Sequence, residues 1–242
     1  MNFRRLFNNK GTYPSKNEKK NISKGKIIEF IGPSGVGKTV LYNTVKNDLS
    51  ATWGHSKSFN KQNDNVLDEQ LNKIHWELFK KKIDAVNLMH TGSEEKLNLM
   101  GYFKRILSNN IKILQPNSES GFFLDEGICH NFSAELLALD KKDFLTVIGN
   151  RCLICVLTKD PKIVVKQIRE RTASGGHTVF HHTKLSDGEL ERLTLESIYN
   201  FKKLLNLVHT YNIPVCQLYV EDGDAFNLNK IIAFEAAVFN EI

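Results

Sequence analysis

Apolar positions along the chain follow two rhythms. Four short, nearly solid apolar runs, "KGKIIEFIG", "FFLDEG", "CLICVLTKD" and "IPVCQLYV", read as buried strands. Between them apolar residues recur at helical spacing. Val40, Leu41, Val45 and Leu49 predict a helix after the first strand. Leu67, Leu71, Ile74, Leu78, Ile83 and Val86 predict a second, from Val66 to about Met89. Leu97, Leu99, Phe103, Ile106, Leu107 and Ile111 predict a third, from Glu94 to Leu114. "SAELLALDKKDFLTVIG" reads as one or two short helices. Asp160-Pro161 is a helix start, with Asp as N-cap and Pro at the first helical position. Ser186-Asp-Gly-Glu189 fits a capping box ahead of a long helix through Leu190, Leu193, Phe201, Leu204, Leu205 and Val208. Residues 51–65, "TASGGHTVFHHTKL" and "EDGDAFN" are aperiodic and read as loops, and "LNKIIAFEAAVF" as a closing helix. Strands alternating with helices predict an α/β fold of three layers, a mostly parallel central sheet flanked by helices.

Charge alters this picture at one end only. The 242 residues carry a net charge of +6. Residues 1–26 hold eight of the 33 basic residues and one of the 27 acids, a net +7, which leaves −1 for the rest. A basic tail over 1–24, with the composition of a disordered segment, is expected before a domain over 25–242. The tail is either plainly solvated or an arm for an acidic partner or an anionic membrane surface. A domain at −1 argues against nucleic acid as partner, because phosphate backbones demand a cationic surface. No apolar run approaches the ~18 residues of a membrane span, and the opening residues lack a signal peptide's apolar core. A cytoplasmic protein is therefore expected, with Cys129, Cys152, Cys155 and Cys216 as reduced thiols. The oligomeric state is not legible.

The chemistry begins at "GPSGVGKT". Gly32 to Thr39 matches G-x-x-x-x-G-K-[ST] at every defined position, between a predicted strand and a predicted helix. Backbone N–H groups across Gly32, Ser34, Gly35, Val36, Gly37, Lys38, Thr39 and Val40 would form a concave anion site at the helix N-terminus. Lys38 is expected on the β- and γ-phosphates and the Thr39 hydroxyl on Mg²⁺. The motif resembles the P-loop NTPase superfamily, which implies a bound nucleotide and leaves the fate of its phosphate open.

Three classes compete for the remainder. "FFLDEG" and "ASGGH" resemble pieces of ABC-type ATPases. In that family, however, the L-S-G-G-Q signature precedes the acidic strand, and here it follows Asp125 by about fifty residues. A GTPase would need D-x-x-G, but Gly127 comes one place early, and "TKDP" has Pro161 where the guanine-binding Asp would stand. The C-terminal half resembles the small-molecule kinases of the superfamily: nucleoside monophosphate kinases and related nucleoside and sugar kinases. There a strand like "CLICVLTKD" leads into a helix ending in arginines, a lid, a long helix, a last strand and a base loop. "IRERTASGGHTVFHHTKLSDGELERL" and "IPVCQLYVEDGDAFN" occupy those places, with the lid at about 172–188. The resemblance covers the layout of about residues 25–240, and only the phosphate loop is specific letter by letter.

The resemblance implies ATP and Mg²⁺ as cofactors and a small-molecule acceptor. Asp125 and Glu126 end a buried strand, where α/β sheets bind ligands; they are expected to serve metal and catalysis, Asp125 as metal ligand with Thr39. Arg169 and Arg171 enter the lid and are expected to clamp the transferring phosphoryl group; their alternative is an ordinary basic helix end. The lid holds no arginine between Thr172 and Leu185, only His177, His181, His182 and Lys184. Residues 51–115 form an acceptor-side helical insertion in which Arg105, beside Tyr102 and Phe103, is the candidate for an anionic acceptor group. The rival reading is a nucleotide-dependent regulatory ATPase with no acceptor.

Overall fold

The computed structural model of the chain describes residues 26–46, 48–49, 53, 69–114, 121–175 and 180–240. The basic segment 1–24, most of the expected loop 51–65 and the lid residue His177 lie outside the described residues.

The sheet is entirely parallel. Its strands are β1 (Ile27–Ile31), β2 (Phe122–Leu124), β3 (Arg151–Leu157) and β4 (Val215–Tyr219), in the spatial order β2-β1-β3-β4. Ile28 of β1 faces Phe123 on one side and Cys152 on the other. β1 and β3 are buried at every residue, which is why both read as solid apolar runs rather than alternating ones. The pleat then sends alternate residues into two separate cores. Ile28, Phe30, Phe123, Ile154, Val156 and Leu218 pack on one face, against Leu41 and Val45 of α1 (Lys38–Val45), Val164 and Ile168 of α7 (Pro161–Ala173) and Ile231 of α10 (Asp224–Asn240). Ile31, Leu153, Cys155 and Leu157 pack on the other, against Leu78 of α2 (Glu69–Asn87), Leu107 of α3 (Ser93–Ile113) and Phe201, Leu204 and Val208 of α9 (Asp187–Thr210).

The helices start where the capping residues place them. The Asp160 side chain accepts the Lys162 N–H at 3.0 Å ahead of α7. Ser186 and Glu189 form both halves of the capping box of α9. Three short helices separate β2 from β3: α4 (Ile128–Asn131), α5 (Ser133–Leu136) and α6 (Lys141–Ile148), the last capped by Asp140.

Three local expectations are corrected. The closing helix begins at Asp224, inside the expected loop. Its first bond runs from the Asn227 N–H to Gly223 O at 3.1 Å, and the Asn227 side chain donates to Tyr219 O, so polar residues that read as loop are spent on the helix start. A single helical turn, α8 (Phe180–Thr183), interrupts the expected lid loop. Val40 and Leu97 lie on the predicted helices but face outward, 60% and 69% exposed, so the apolar stripes of α1 and α3 are narrower than their letters. All four cysteines are buried free thiols, and burial raises the pKa of Cys129, Cys155 and Cys216. Among the described residues no helix is long and apolar enough to cross a membrane.

Candidate active site

The phosphate loop links the carboxyl end of β1 to the start of α1, as its spacing requires. Gly32 lies so close to β3 that a Cβ there would sit 2.1 Å from Val156 O. Gly37, with φ 93°, turns the chain into α1 through the left-handed region that glycine tolerates. Beyond it lies the N-terminal turn of α1, where the Val40 N–H, expected in the anion site, already donates to Gly37 O at 3.1 Å. Lys38 is 4% exposed, and its ammonium donates to Gly32 O at 3.0 Å and Pro33 O at 2.9 Å. Burial lowers its pKa, while the charges of Glu126 and Asp125 oppose the shift. An anionic ligand beside it would favour the charged form in the same way.

The acidic pair ends β2 one strand away, and its two members take different partners. Asp125 Oδ2 accepts the Thr39 hydroxyl at 2.9 Å. Its Oδ1 is buried with no hydrogen-bond partner among the described residues. Burial raises the Asp125 pKa, with the Thr39 hydrogen bond acting against it. A hydroxyl next to a carboxylate oxygen with spare acceptor capacity is a hard-oxygen pair that fits Mg²⁺. Among the described residues no three His, Cys, Asp or Glu side chains gather as a metal site. Magnesium sites of this kind complete their shell with substrate phosphates and water.

Glu126 turns the other way. Its Oε1 lies 3.6 Å from Lys38 Nζ and 3.2 Å from His130 Nε2, and its Oε2 accepts the Tyr102 hydroxyl at 3.4 Å. Burial first, then the Glu126 charge, pushes the Tyr102 pKa up to about 12, so the phenol keeps its proton and donates. Burial also holds the His130 pKa well below 6.5, aided by the charges of Lys38 and Lys82, so the imidazole is neutral. The ring lies flat on Phe201 of α9, with centroids 5.7 Å apart.

Beneath this turn lies a buried ion pair. Glu29 of β1 and Arg151 of β3 have fully buried side chains and meet at 2.7 Å. The other Glu29 oxygen accepts the His130 backbone N–H at 2.9 Å. Gly127 sits so tightly against this carboxylate that a Cβ would come within 2.7 Å of it. Arg151 also donates to Asn110, whose amide contacts His75 Nε2 at 2.9 Å. A single polar chain therefore runs from α2 and α3 to the floor of the acidic turn.

The sequence-expected residues divide accordingly. Lys38, Thr39, Asp125 and Glu126 come together at one point, with the loop residues Gly32 to Val40 around them. Arg105 does not reach the acids. Its guanidinium lies over the Tyr102 ring, 5.5 Å from the centroid, and it pairs with no described carboxylate. Arg169 is engaged at the base of the expected lid segment, where its Nε donates to Asp187 at 2.8 Å and Nη2 to Leu185 O. Arg171, in the last turn of α7, is exposed and forms no ion pair with a described residue. Glu29, Arg151 and His130 were missed altogether, and Tyr102 was noted only as an aromatic neighbour of Arg105. The one local signal was the i, i+4 spacing of Glu126 and His130.

No family model matches the chain, and no curated protein matches it. Among solved structures the chain is similar to deoxyadenosine kinase from M. mycoides with bound dCTP. Sequence identity is 13%, the match covers 87% of this chain and 99% of that chain, and the TM-score is 0.45. The same enzyme with bound dATP matches at 14% identity over 86% of this chain and 97% of that chain, with a TM-score of 0.43.

Proposed function

We propose that the chain is an ATP-dependent kinase that transfers the γ-phosphoryl group to a hydroxyl or phosphate of a small metabolite, a nucleotide, nucleoside or sugar-like molecule. The observation that carries this reading is the 3.4 Å contact from Tyr102 to Glu126. Through it an acceptor-side helix supplies a side chain to the acidic pair beside the phosphate loop. A helix that borders the acids leaves a place for an acceptor beside them, which supports transfer over hydrolysis alone.

The roles follow from placement. The loop amides and Lys38 hold the phosphates. Thr39 and Asp125 hold Mg²⁺, whose charge, when bound, offsets that of the phosphates. Glu126 faces away from Asp125 toward α3 and is the carboxylate available to orient the acceptor. The Arg105 guanidinium one turn along α3, which pairs with no described carboxylate, suits an anionic group on the acceptor. Arg171, without an ion pair among the described residues, is the lid arginine for the transferring group, while Arg169 fixes the lid root and can join it only by leaving Asp187. A lid keeps water from taking the phosphoryl group. ATP is preferred to GTP because the guanine-reading motif is absent from "TKDP".

The test is transfer from labelled ATP across a panel of nucleosides, nucleotides and sugars, with Lys38→Ala as control. Labelled product that depends on Lys38 supports the reading. Slow ATP hydrolysis indifferent to every acceptor favours the regulatory ATPase.

A further inference from the structure

The Glu126 side chain is only partly enclosed by packing. It is about one-third exposed, and it backs onto a hollow of about 20 Å³ lined by Asn109, Asn110, Gly127 and Arg151. Incomplete packing of this kind constrains a rotamer less than a full enclosure does. The direction of the side chain is set by polar contacts on both carboxylate oxygens, with the Lys38 ammonium 3.6 Å from Oε1. His130 Nε2 meets Oε1 at 3.2 Å, and the Tyr102 hydroxyl meets Oε2 at 3.4 Å. Lys38 draws the carboxylate by charge, and the directional contacts of His130 and Tyr102, on different oxygens, fix its plane.

The donors are themselves fixed. The His130 ring is stacked on Phe201, and its backbone N–H is held by the buried Glu29 carboxylate. The Tyr102 ring packs edge-on against Phe103, which in turn packs edge-on against the buried Phe132. Both rings are thus held by aromatic packing, and Glu126 takes its bearing from them.

We propose that Tyr102 and His130 are positioning residues of the transfer reaction, which hold the Glu126 carboxylate at the orientation needed to receive the proton of an acceptor hydroxyl. This rests on the kinase reading of the site. In the step it serves, the acceptor O–H bond breaks and its proton passes to Glu126. The freed electron pair forms the new O–P bond, and the bond from the γ-phosphorus to the β-γ bridging oxygen breaks, with its electrons leaving on ADP. Misplacing a reacting group by about 1 Å costs on the order of a hundredfold in rate, so loss of either donor is felt in kcat and not in nucleotide affinity. Tyr102 has a further consequence. It stands on the same helix as Arg105 and touches its guanidinium, so acceptor contacts on α3 and the base share one element.

The experiment uses the full chain with Tyr102→Phe, His130→Phe and His130→Gln, each alone and with Glu126→Gln. The phenylalanines keep the ring contacts and remove the donor; glutamine restores an N–H donor at His130. Tyr102→Phe and His130→Phe are expected to lower kcat by about ten- to a hundredfold with KM for ATP unchanged. His130→Gln is expected to regain part of the loss, and neither phenylalanine to lower kcat further once Glu126 is Gln. Undiminished kcat, or an equal loss with and without Glu126, overturns the proposal. A second readout does not need kinase activity. The side-chain carboxyl carbon resonance of Glu126, in protein carrying isotope-labelled glutamate and assigned by its absence in Glu126→Gln, is expected to move in both phenylalanine variants. An unmoved resonance overturns the positioning claim, whereas a moved resonance with no phosphorylated acceptor overturns the kinase reading alone.

Discussion

Substituting Arg151 by Met is expected to cost a large part of the stability of the fold. The Arg151 and Glu29 side chains are fully buried and joined at 2.7 Å. Without the guanidinium, the Glu29 carboxylate keeps only neutral donors, the His130 N–H at 2.9 Å and the Cys129 thiol, among the described residues. Asn110, Val147 O and Ile148 O lose a donor at the same time. Breaking a buried pair from one side typically costs ~3–5 kcal/mol, because the surviving charge is left uncompensated. A domain has only about 5–15 kcal/mol in total. Removing both charges together avoids that residue of unpaired charge. Glu29→Leu with Arg151→Met is therefore expected to be more stable than Arg151→Met alone, although it also frees the His130 N–H. The assay is urea unfolding at neutral pH for the two single variants and the double, with the coupling energy taken from the cycle. A loss of less than about 1 kcal/mol for Arg151→Met, or a double variant whose cost is the sum of the singles, would refute the reasoning. Because Glu29 also holds the first turn of α4, a loss of kcat beyond the loss of folded protein is expected in every variant that lacks it.

Asp125→Asn is expected to leave nucleotide binding largely intact and to abolish transfer, as read by calorimetric titration with ATP beside the transfer assay; normal turnover removes Asp125 from the chemistry. The buried His75, whose pKa is lowered to about 4 chiefly by burial, predicts an acid limb in stability. The unfolded chain takes up that proton below about 6.5 and the folded one only near 4, so the stability is fully present above 6.5 and is lost as pH falls toward 4. The gap is worth about 3 kcal/mol at 1.36 kcal/mol per pH unit, and His75→Asn should flatten the limb in denaturant titrations run across that range. The two lid arginines should separate in kinetics. Arg171→Ala is expected to lower kcat with thermal stability unchanged, and Arg169→Ala to speed proteolytic nicking of the lid, because its bonds to Asp187 and Leu185 close the loop at its base.

Local features carried the fold. Solid runs such as "IIEFI" and "RCLICVL" are what strands buried on both faces require, and the caps at Asp160 and Ser186 are satisfied within three residues of themselves. The gathering of the glycine-rich loop and the acids was legible for the same reason: both lie at the carboxyl ends of neighbouring strands. The rest of the site depends on contacts between distant segments. Glu29 and Arg151 are 122 residues apart and adjacent only because β1 and β3 pair in register. In the letters, Glu29 was a lone acid in an apolar run and Arg151 an ordinary edge residue. Tyr102 meets Glu126 through the fold-back of α3, and His130 sits in a four-residue helix too short to show a period. Arg169 and Arg171 looked equivalent at their spacing; only the position of Asp187 at the start of α9 separates them.

The central claim is that the phosphate gripped at Lys38 goes to an acceptor. Incubation of the full chain with radiolabelled ATP, Mg²⁺ and a panel of nucleosides, nucleotides and sugars, with products resolved by chromatography, tests it directly. The account predicts a labelled acceptor that forms with the wild-type chain and fails to form with Lys38→Ala or Asp125→Asn. Labelled inorganic phosphate as the sole product, at a rate unaffected by every acceptor, would contradict it.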